Sequence, residues 1–69
     1  MFYVLQFDCS YDCFLARSLY NTYRMSRKNL TLDHFKEVLK EDFELDFICF
    51  ECDDKFIFDF YTDNCCLVF

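Results

Sequence analysis

The chain has 69 residues, among them eleven Phe and five Tyr, and contains neither Gly nor Pro. This length allows one small domain, residues 1–69, and a hydrophobic content of 55% excludes a mostly disordered chain. The lack of glycine excludes phosphate-binding loops, because those loops need glycine where the backbone approaches the phosphate.

The net charge of −6 is distributed unevenly along the chain. Residues 1–40 hold four acidic and six basic side chains, whereas residues 41–69 hold nine acidic side chains and Lys55 as their one base. An acidic half repels nucleic acid and attracts basic partners. We therefore expect no direct binding of nucleic acid, although Arg24, Arg27 and Lys28 form a small basic group.

Nothing in the sequence indicates contact with a membrane. Charged residues interrupt every run of ten residues, so no transmembrane helix is expected. The N-terminal sequence MFYVLQFD lacks the basic region and the cleavage site of a signal peptide. We expect a cytoplasmic protein with reduced cysteines.

The first predicted element is a strand over residues 2–8, in which apolar side chains occupy both faces. A helix is predicted from Ser10, and polar residues 25–29 link it to a second helix with Thr31 as its N-cap. Leu30 and Phe35 occupy the positions of a hydrophobic staple around that cap. The expected apolar face of the first helix is Tyr11, Phe14, Leu15, Ser18, Leu19 and Thr22, and that of the second is Leu32, Phe35, Val38 and Leu39.

From residue 44 the apolar period changes to two, which predicts strands. A turn at Asp53-Asp54 would form a hairpin, and a second turn at Asp63-Asn64 would add a third strand. The predicted fold is α+β, in the order β-α-α-β-β-β, with two helices packed on one face of an antiparallel sheet. In this register the helix-covered face carries Leu45, Phe47, Cys49, Phe56, Phe58, Phe60, Leu67 and Phe69.

The opposite face of the predicted sheet is more apolar than a solvent-facing surface usually is. Such a patch often marks an interface, so we expect it to bind a partner or to form a homodimer. The alternative interpretation is that one of the two predicted helices covers each face of the sheet. The residues expected there are Phe2, Val4, Ile48, Phe50, Ile57, Tyr61 and Val68.

The six cysteines raise the possibility of a metal site. Cys49-x-x-Cys52 has the spacing of half a zinc site, and Cys9 and Cys13 could supply two further thiolates. In an extended strand, however, Cys49 and Cys52 point to opposite faces. We therefore expect no metal and no cofactor, with a small zinc-stabilised adaptor that uses Cys9, Cys13, Cys49 and Cys52 as the alternative.

No combination of side chains in the sequence matches a catalytic motif, so a non-enzymatic protein is expected. The acidic residues of the predicted hairpin are interleaved with aromatic residues and are similar in charge spacing to the phosphates of nucleic acid. Acids would steer the partner, and apolar residues would supply the buried contacts. The predicted partner-binding residues are Asp46, Phe50, Glu51, Asp53, Asp54, Ile57, Asp59, Tyr61 and Asp63.

In length, acidity and single-domain character the chain resembles small phage-encoded inhibitors, such as anti-CRISPR proteins, anti-restriction proteins and inhibitors of host polymerases. This resemblance implies an inhibitor that binds the basic nucleic-acid-binding surface of a host protein. Two alternatives are a self-associating structural protein and a solvated acidic surface that only maintains solubility.

Overall fold

The computed structural model describes residues 1–26 and 29–69, which form a three-stranded antiparallel sheet and three α-helices. The predicted α+β class is therefore confirmed. Arg27 and Lys28, from the predicted basic link, lie outside the described residues. The elements are β1 (Phe2–Phe7), α1 (Ser10–Met25), α2 (Leu32–Glu41), β2 (Phe47–Cys52), α3 (Ile57–Thr62) and β3 (Cys66–Val68), with a 3₁₀ turn over Asp54–Phe56 before α3.

The first strand of the chain is the central strand of the sheet, whose order is β2-β1-β3. Both neighbours run antiparallel to β1. The β1–β2 register runs without interruption from Phe2 opposite Cys52 to Phe7 opposite Phe47. The two chain-terminal strands are thus adjacent, and β2 and β3 form the edges.

Helices α1 and α2 cover one face of this sheet, as predicted, and enclose what we call the major core. Phe35 of α2 is fully buried there, with its ring 5.8 Å from the rings of both Tyr20 and Phe69. Aromatic pairs at this separation add stabilisation beyond the burial of their area. The buried members of the major core are Leu5, Phe7, Cys13, Ala16, Phe35, Leu39, Leu45 and Leu67.

The opposite face of the sheet is covered by α3, a helix that the sequence did not predict, so the predicted open apolar face is wrong. The alternative, with one of the two predicted helices on each face, is wrong as well, because α1 and α2 pack on the same face. Val4 has no exposed surface and forms, with Cys66 and Val68, a second cluster that we call the minor core. Ile57 and Phe60 of α3 pack onto it. The face therefore offers no free sheet surface at Val4 or Val68 for a homodimer.

The predicted hairpin is also wrong, because residues 54–62 are helical and β2 pairs with β1 instead. Ile57 and Phe60 lie one helical turn apart, so both reach the minor core from α3. Phe56 and Phe58, placed in the core by the hairpin register, are exposed. An apolar pattern over six residues fits a short helix as well as a strand, and here the uncovered face of β1 favours the helix.

The turn at Asp63-Asn64 exists, but it joins α3 to β3 rather than two strands. The Asp63 carboxylate accepts a hydrogen bond from the Cys65 backbone N–H at 2.7 Å, as in an Asx-turn. In the α2–β2 connection Glu44 adopts φ 55°, the one positive φ among the described residues. A chain without glycine must build such a turn from another residue.

Helix α1 is rotated on the sheet relative to the prediction, although Leu19 of the predicted face does pack against the major core. Cys13 and Ala16 are its buried residues, whereas Tyr11 and Phe14 are exposed. The small side chains allow α1 to lie close to β3, and Arg17 Nη2 donates hydrogen bonds to the carbonyl oxygens of Cys66 and Asp63 at 2.6 and 3.0 Å. For α2 the predicted cap is confirmed, because the Thr31 hydroxyl accepts a bond from the His34 backbone N–H.

A pair of alanine substitutions distinguishes this fold from the hairpin. We expect Phe35→Ala to lower the free energy of unfolding by about 3–5 kcal/mol, because it leaves a cavity in the major core. Phe58→Ala should change it by less than about 0.5 kcal/mol, because Phe58 is 73% exposed. Urea denaturation followed by circular dichroism measures both. A large loss for Phe58→Ala would contradict the helical assignment of residues 57–62.

Candidate protein-interaction surface

The acidic half of the chain presents its carboxylates to solvent. All nine acidic residues between positions 41 and 63 are exposed. Among the described residues the one ion pair joins the N-terminal ammonium to the Asp54 carboxylate at 3.9 Å, and both groups are largely exposed. An exposed ion pair of this kind contributes little to the stability of the fold. The Lys55 ammonium lies over the Phe56 ring, 6.0 Å from its centre.

These carboxylates follow the outer strand β2 and continue onto α3. Asp46 precedes β2, Glu51 lies near its end, and Asp53 and Asp54 follow it. At about 3.3 Å per residue, the six-residue strand separates the two acidic ends by roughly 20 Å. One strand of DNA carries one phosphate per about 3.4 Å of helix axis, so this length corresponds to the axial rise over about six phosphates. Asp59 extends the acidic region onto α3.

The three apolar residues predicted to contact a partner differ in their exposure. Phe50 of β2 and Ile57 of α3 are half-buried and pack against the minor core. The ring centres of Phe50 and Phe60 are 5.4 Å apart. Phe50 and Ile57 hold α3 in place and are only partly available to a partner. Tyr61, in contrast, is 56% exposed, as its predicted role requires. Asp63, also predicted to contact a partner, holds the α3–β3 turn through its bond to Cys65.

Two exposed apolar side chains near these acids, Phe56 and Phe58, were not predicted as contacts, whereas Ile48 was predicted on the outward apolar face and is exposed. The signal that identifies Phe58 is helical spacing, since Ile57 and Phe60 face the minor core and residue 58 then points away. We call the combined set the acidic surface; it consists of Asp46, Ile48, Asp53, Asp54, Phe56, Phe58, Asp59 and Tyr61. Glu51, also predicted to contact a partner, is exposed on the opposite face of β2, the face of Phe47 and Cys49, and is not part of this set.

The exposed side of α1 is a separate aromatic region. Tyr11 and Phe14 lie one helical turn apart, 67% and 64% exposed, and border a shallow groove with Arg17 and Asn64. Arg17 directs its guanidinium to two carbonyl oxygens, so it holds α1 against the end of α3. The spacing of both aromatic residues fits an apolar helix face and predicts them in the core, which is wrong.

The alternative zinc site does not assemble in this structure. Cys49 packs against the major core and Cys52 against the minor core, so the two sulfur atoms lie on opposite faces of β2. Cys13 is buried and Cys9 is exposed. Within residues 1–26 and 29–69, no three His, Cys, Asp or Glu side chains are grouped in a way that could hold a metal ion.

Comparisons with known proteins return no match: no family model, curated protein or solved structure is significantly similar to this chain. Among the described helices, none has the length and apolar character needed to cross a membrane.

Two buried thiols sit where α1 meets β3. Burial raises the pKa of the Cys66 thiol from its ordinary value of 9.0 to about 11, and the Asp63 carboxylate acts in the same direction. Burial also raises the pKa of Cys13, against the opposing effect of Arg17. The folded state therefore favours the neutral thiols, as expected for cysteines that pack as small hydrophobic residues.

This shift makes the stability depend on alkaline pH. Because the pKa of Cys66 is higher in the folded than in the unfolded state, the neutral thiol stabilises the folded protein fully below pH 9.0. This stabilisation is lost as the pH rises toward about 11. We expect the free energy of unfolding to fall by about 1–3 kcal/mol across that window. Urea titrations at several pH values measure it. Cys66→Ala should flatten the pH dependence, whereas Cys9→Ala, at an exposed site, should retain it; equal slopes would contradict the assignment.

Proposed function

We propose that this chain is a non-enzymatic inhibitor that binds the basic, nucleic-acid-binding surface of another protein through its acidic surface. The observation that carries the proposal is the set of nine exposed carboxylates in residues 41–63, with one weak ion pair among the described residues. An uncompensated array of this kind attracts a cationic surface over a distance comparable with the Debye length, about 8–10 Å at physiological salt.

The aromatic residues within the acidic surface supply the contact that charge alone does not. Charged pairs at the rim of an interface mainly raise the association rate, whereas buried aromatic residues account for much of the affinity. Phe58 and Tyr61 project from α3 beside Asp59 and are more than half exposed. Burial of these two rings against apolar parts of the partner would hold the complex that the carboxylates steer together.

The scaffold beneath the acidic surface favours binding because it is already ordered. Strand β2 pairs with β1 over its whole length, and α3 is held by the contact of Phe60 with Phe50. A pre-organised surface loses little conformational entropy on association. The carboxylates that flank β2 thus keep a fixed spacing, which suits a mimic of regularly spaced phosphates.

The setting of this function follows the resemblance to small phage-encoded inhibitors. We place the protein in the cytoplasm of the host cell, with a nucleic-acid-handling host protein as its partner. In this setting the inhibitor would occupy the groove that otherwise binds nucleic acid. It would act by occupancy, without a chemical step and without a cofactor.

Charge substitutions within the acidic surface test the proposal. The triple variant Asp53→Asn, Asp54→Asn, Asp59→Asn should bind a partner captured by the wild-type chain with an association rate about tenfold lower, because steering is lost. The salt dependence of its affinity should also decrease. Surface plasmon resonance with the purified partner at several NaCl concentrations measures both quantities.

A matched variant controls for net charge. Asp8→Asn, Asp33→Asn, Glu37→Gln removes the same number of charges from exposed positions outside residues 41–63. It should bind nearly as fast as the wild-type chain, and duplex DNA should compete with both for the partner. Equal losses in the two triple variants, or no competition by DNA, would contradict the proposal.

A further inference from the structure

The outer edge of β2 carries backbone groups that the described sheet leaves unpaired. The N–H groups of Tyr3 and Phe7 donate to the carbonyl oxygens of Phe69 and Cys65, so these residues of β1 direct their backbone toward β3. Backbone groups alternate between the two sides of a strand, so Phe2, Val4 and Gln6 direct their backbone groups toward β2. The positions that direct their N–H and C=O groups away from the sheet are then the alternate residues Phe47, Cys49 and Glu51.

Among the described residues β2 has no bulge, proline or lysine, which are features by which natural proteins prevent strand addition, and Glu51 is its one charged residue. The β1–β2 register contains no bulge, and the four consecutive residues Phe47–Phe50 are uncharged. Ile48 is 61% exposed at the centre of the strand. An open groove of about 470 Å³, bordered by Lys36 of α2 and by Cys49, runs along the same edge.

We propose that β2 pairs with β2 of a second copy of this chain, antiparallel and centred on Cys49. The two three-stranded sheets would then continue as one sheet across a two-fold axis. Each outward-facing residue gains a partner, because Cys49 lies opposite Cys49 and Phe47 lies opposite Glu51 of the second copy. A shift of the register by two residues would leave outward-facing groups unpaired at both ends.

Side chains make this register self-complementary. Glu51 lies on the same face as Phe47, and the Lys40 ammonium sits 5.2 Å from the centre of the Phe47 ring. In the dimer each Glu51 carboxylate therefore lies beside Lys40 of the other copy, and the pair occurs twice. On the opposite face, exposed Ile48 lies against Phe50 of the other copy. Cross-strand pairs of both kinds stabilise antiparallel sheets.

The acidic residues do not oppose one another in this arrangement, despite the net charge of −6 on each chain. Asp46 falls opposite Cys52 of the second copy, and Asp53 falls opposite Leu45. Like charges directly opposite across two strands would be destabilising, and this register avoids them. A strand of unrelated sequence would not supply these reciprocal contacts, so the second copy is the occupant that fits.

A proline substitution tests the edge without breaking the sheet. Glu51→Pro removes an outward-facing N–H, which the β1–β2 ladder does not use, and proline is tolerated at such edge positions. Sedimentation velocity over a concentration series should show a reversible dimer for the wild-type chain. The dimer dissociation constant of Glu51→Pro should be at least about tenfold higher, because hydrogen bonds are lost on both sides of the axis.

Asp53→Pro is the matched control, since it removes the same charge and adds the same ring just beyond β2, where φ is already −75°. It should dimerise with nearly the wild-type dissociation constant, with far-UV circular dichroism confirming that both variants fold. A wild-type chain that stays monomeric throughout the series overturns the proposal and leaves the edge to a different partner. Equal dimerisation of wild type and Glu51→Pro overturns it as well.

A charge exchange tests the register. Glu51→Lys and Lys40→Glu should each weaken the dimer, and the double variant should restore it, because the two positions meet only across the axis. Failure of the double variant to recover overturns this register. Amide exchange followed by NMR gives an independent reading: the Cys49 N–H should be protected in the wild-type dimer and exchange rapidly in Glu51→Pro, and rapid exchange in both overturns the pairing.

Discussion

Burial of the central strand on both of its faces is the constraint on which the rest of this structure depends. Val4 and Leu5 are consecutive residues, point to opposite faces of β1, and have no exposed surface. A chain of 69 residues must therefore build a cover for each face of the sheet. Helices α1 and α2 form one cover and the six-residue helix α3 forms the other. Residues 57–62 therefore form the covering helix, because they cannot form a further strand of the sheet and also cover the minor core.

This arrangement explains where the charges lie. The described residues contain no buried polar or charged side chain, because two thin apolar cores leave no partner for a buried carboxylate. The acids of residues 41–63 flank an edge strand and a short surface helix, where each remains solvated. The same constraint leaves Phe58 and Tyr61 exposed, since a six-residue helix buries only one side. An acidic surface with exposed rings is thus a consequence of covering β1.

The open edge of β2 has the same origin. With β1 in the centre, a three-stranded sheet has two edges, and each is treated differently. Beside β3 the Arg17 guanidinium binds the Cys66 carbonyl, so part of that edge is occupied by α1. Strand β2 is longer and has no comparable contact among the described residues. The proposed dimer uses this edge and would cover Ile48, whereas Phe58, Asp59 and Tyr61 of α3 lie outside the paired strands and stay available to a partner.

Much of the fold could be predicted because strong local sequence patterns indicate most of its elements. Residues near one another in the chain decide three features: the apolar strand β1, the cap at Thr31 and the buried stripe of α2. Side-chain parity also placed Leu45, Phe47 and Leu67 on the correct face. The orientation of α1 could not be predicted, because Tyr11 and Phe14 form a plausible apolar face while Cys13 and Ala16 carry a weaker signal. Their small size matters only once α1 meets β3.

The sequence by itself determined the class of fold, the separation of Cys49 from Cys52, and an acidic C-terminal half, because each follows from period, parity or composition. Only the tertiary structure decided that residues 57–62 form a helix, that Phe50 and Ile57 are half-buried, and that Phe58 faces solvent. The physical reason is that a six-residue apolar segment fits both a strand and a helix. Its conformation is selected by the surface it must cover, and that surface is assembled from distant parts of the chain.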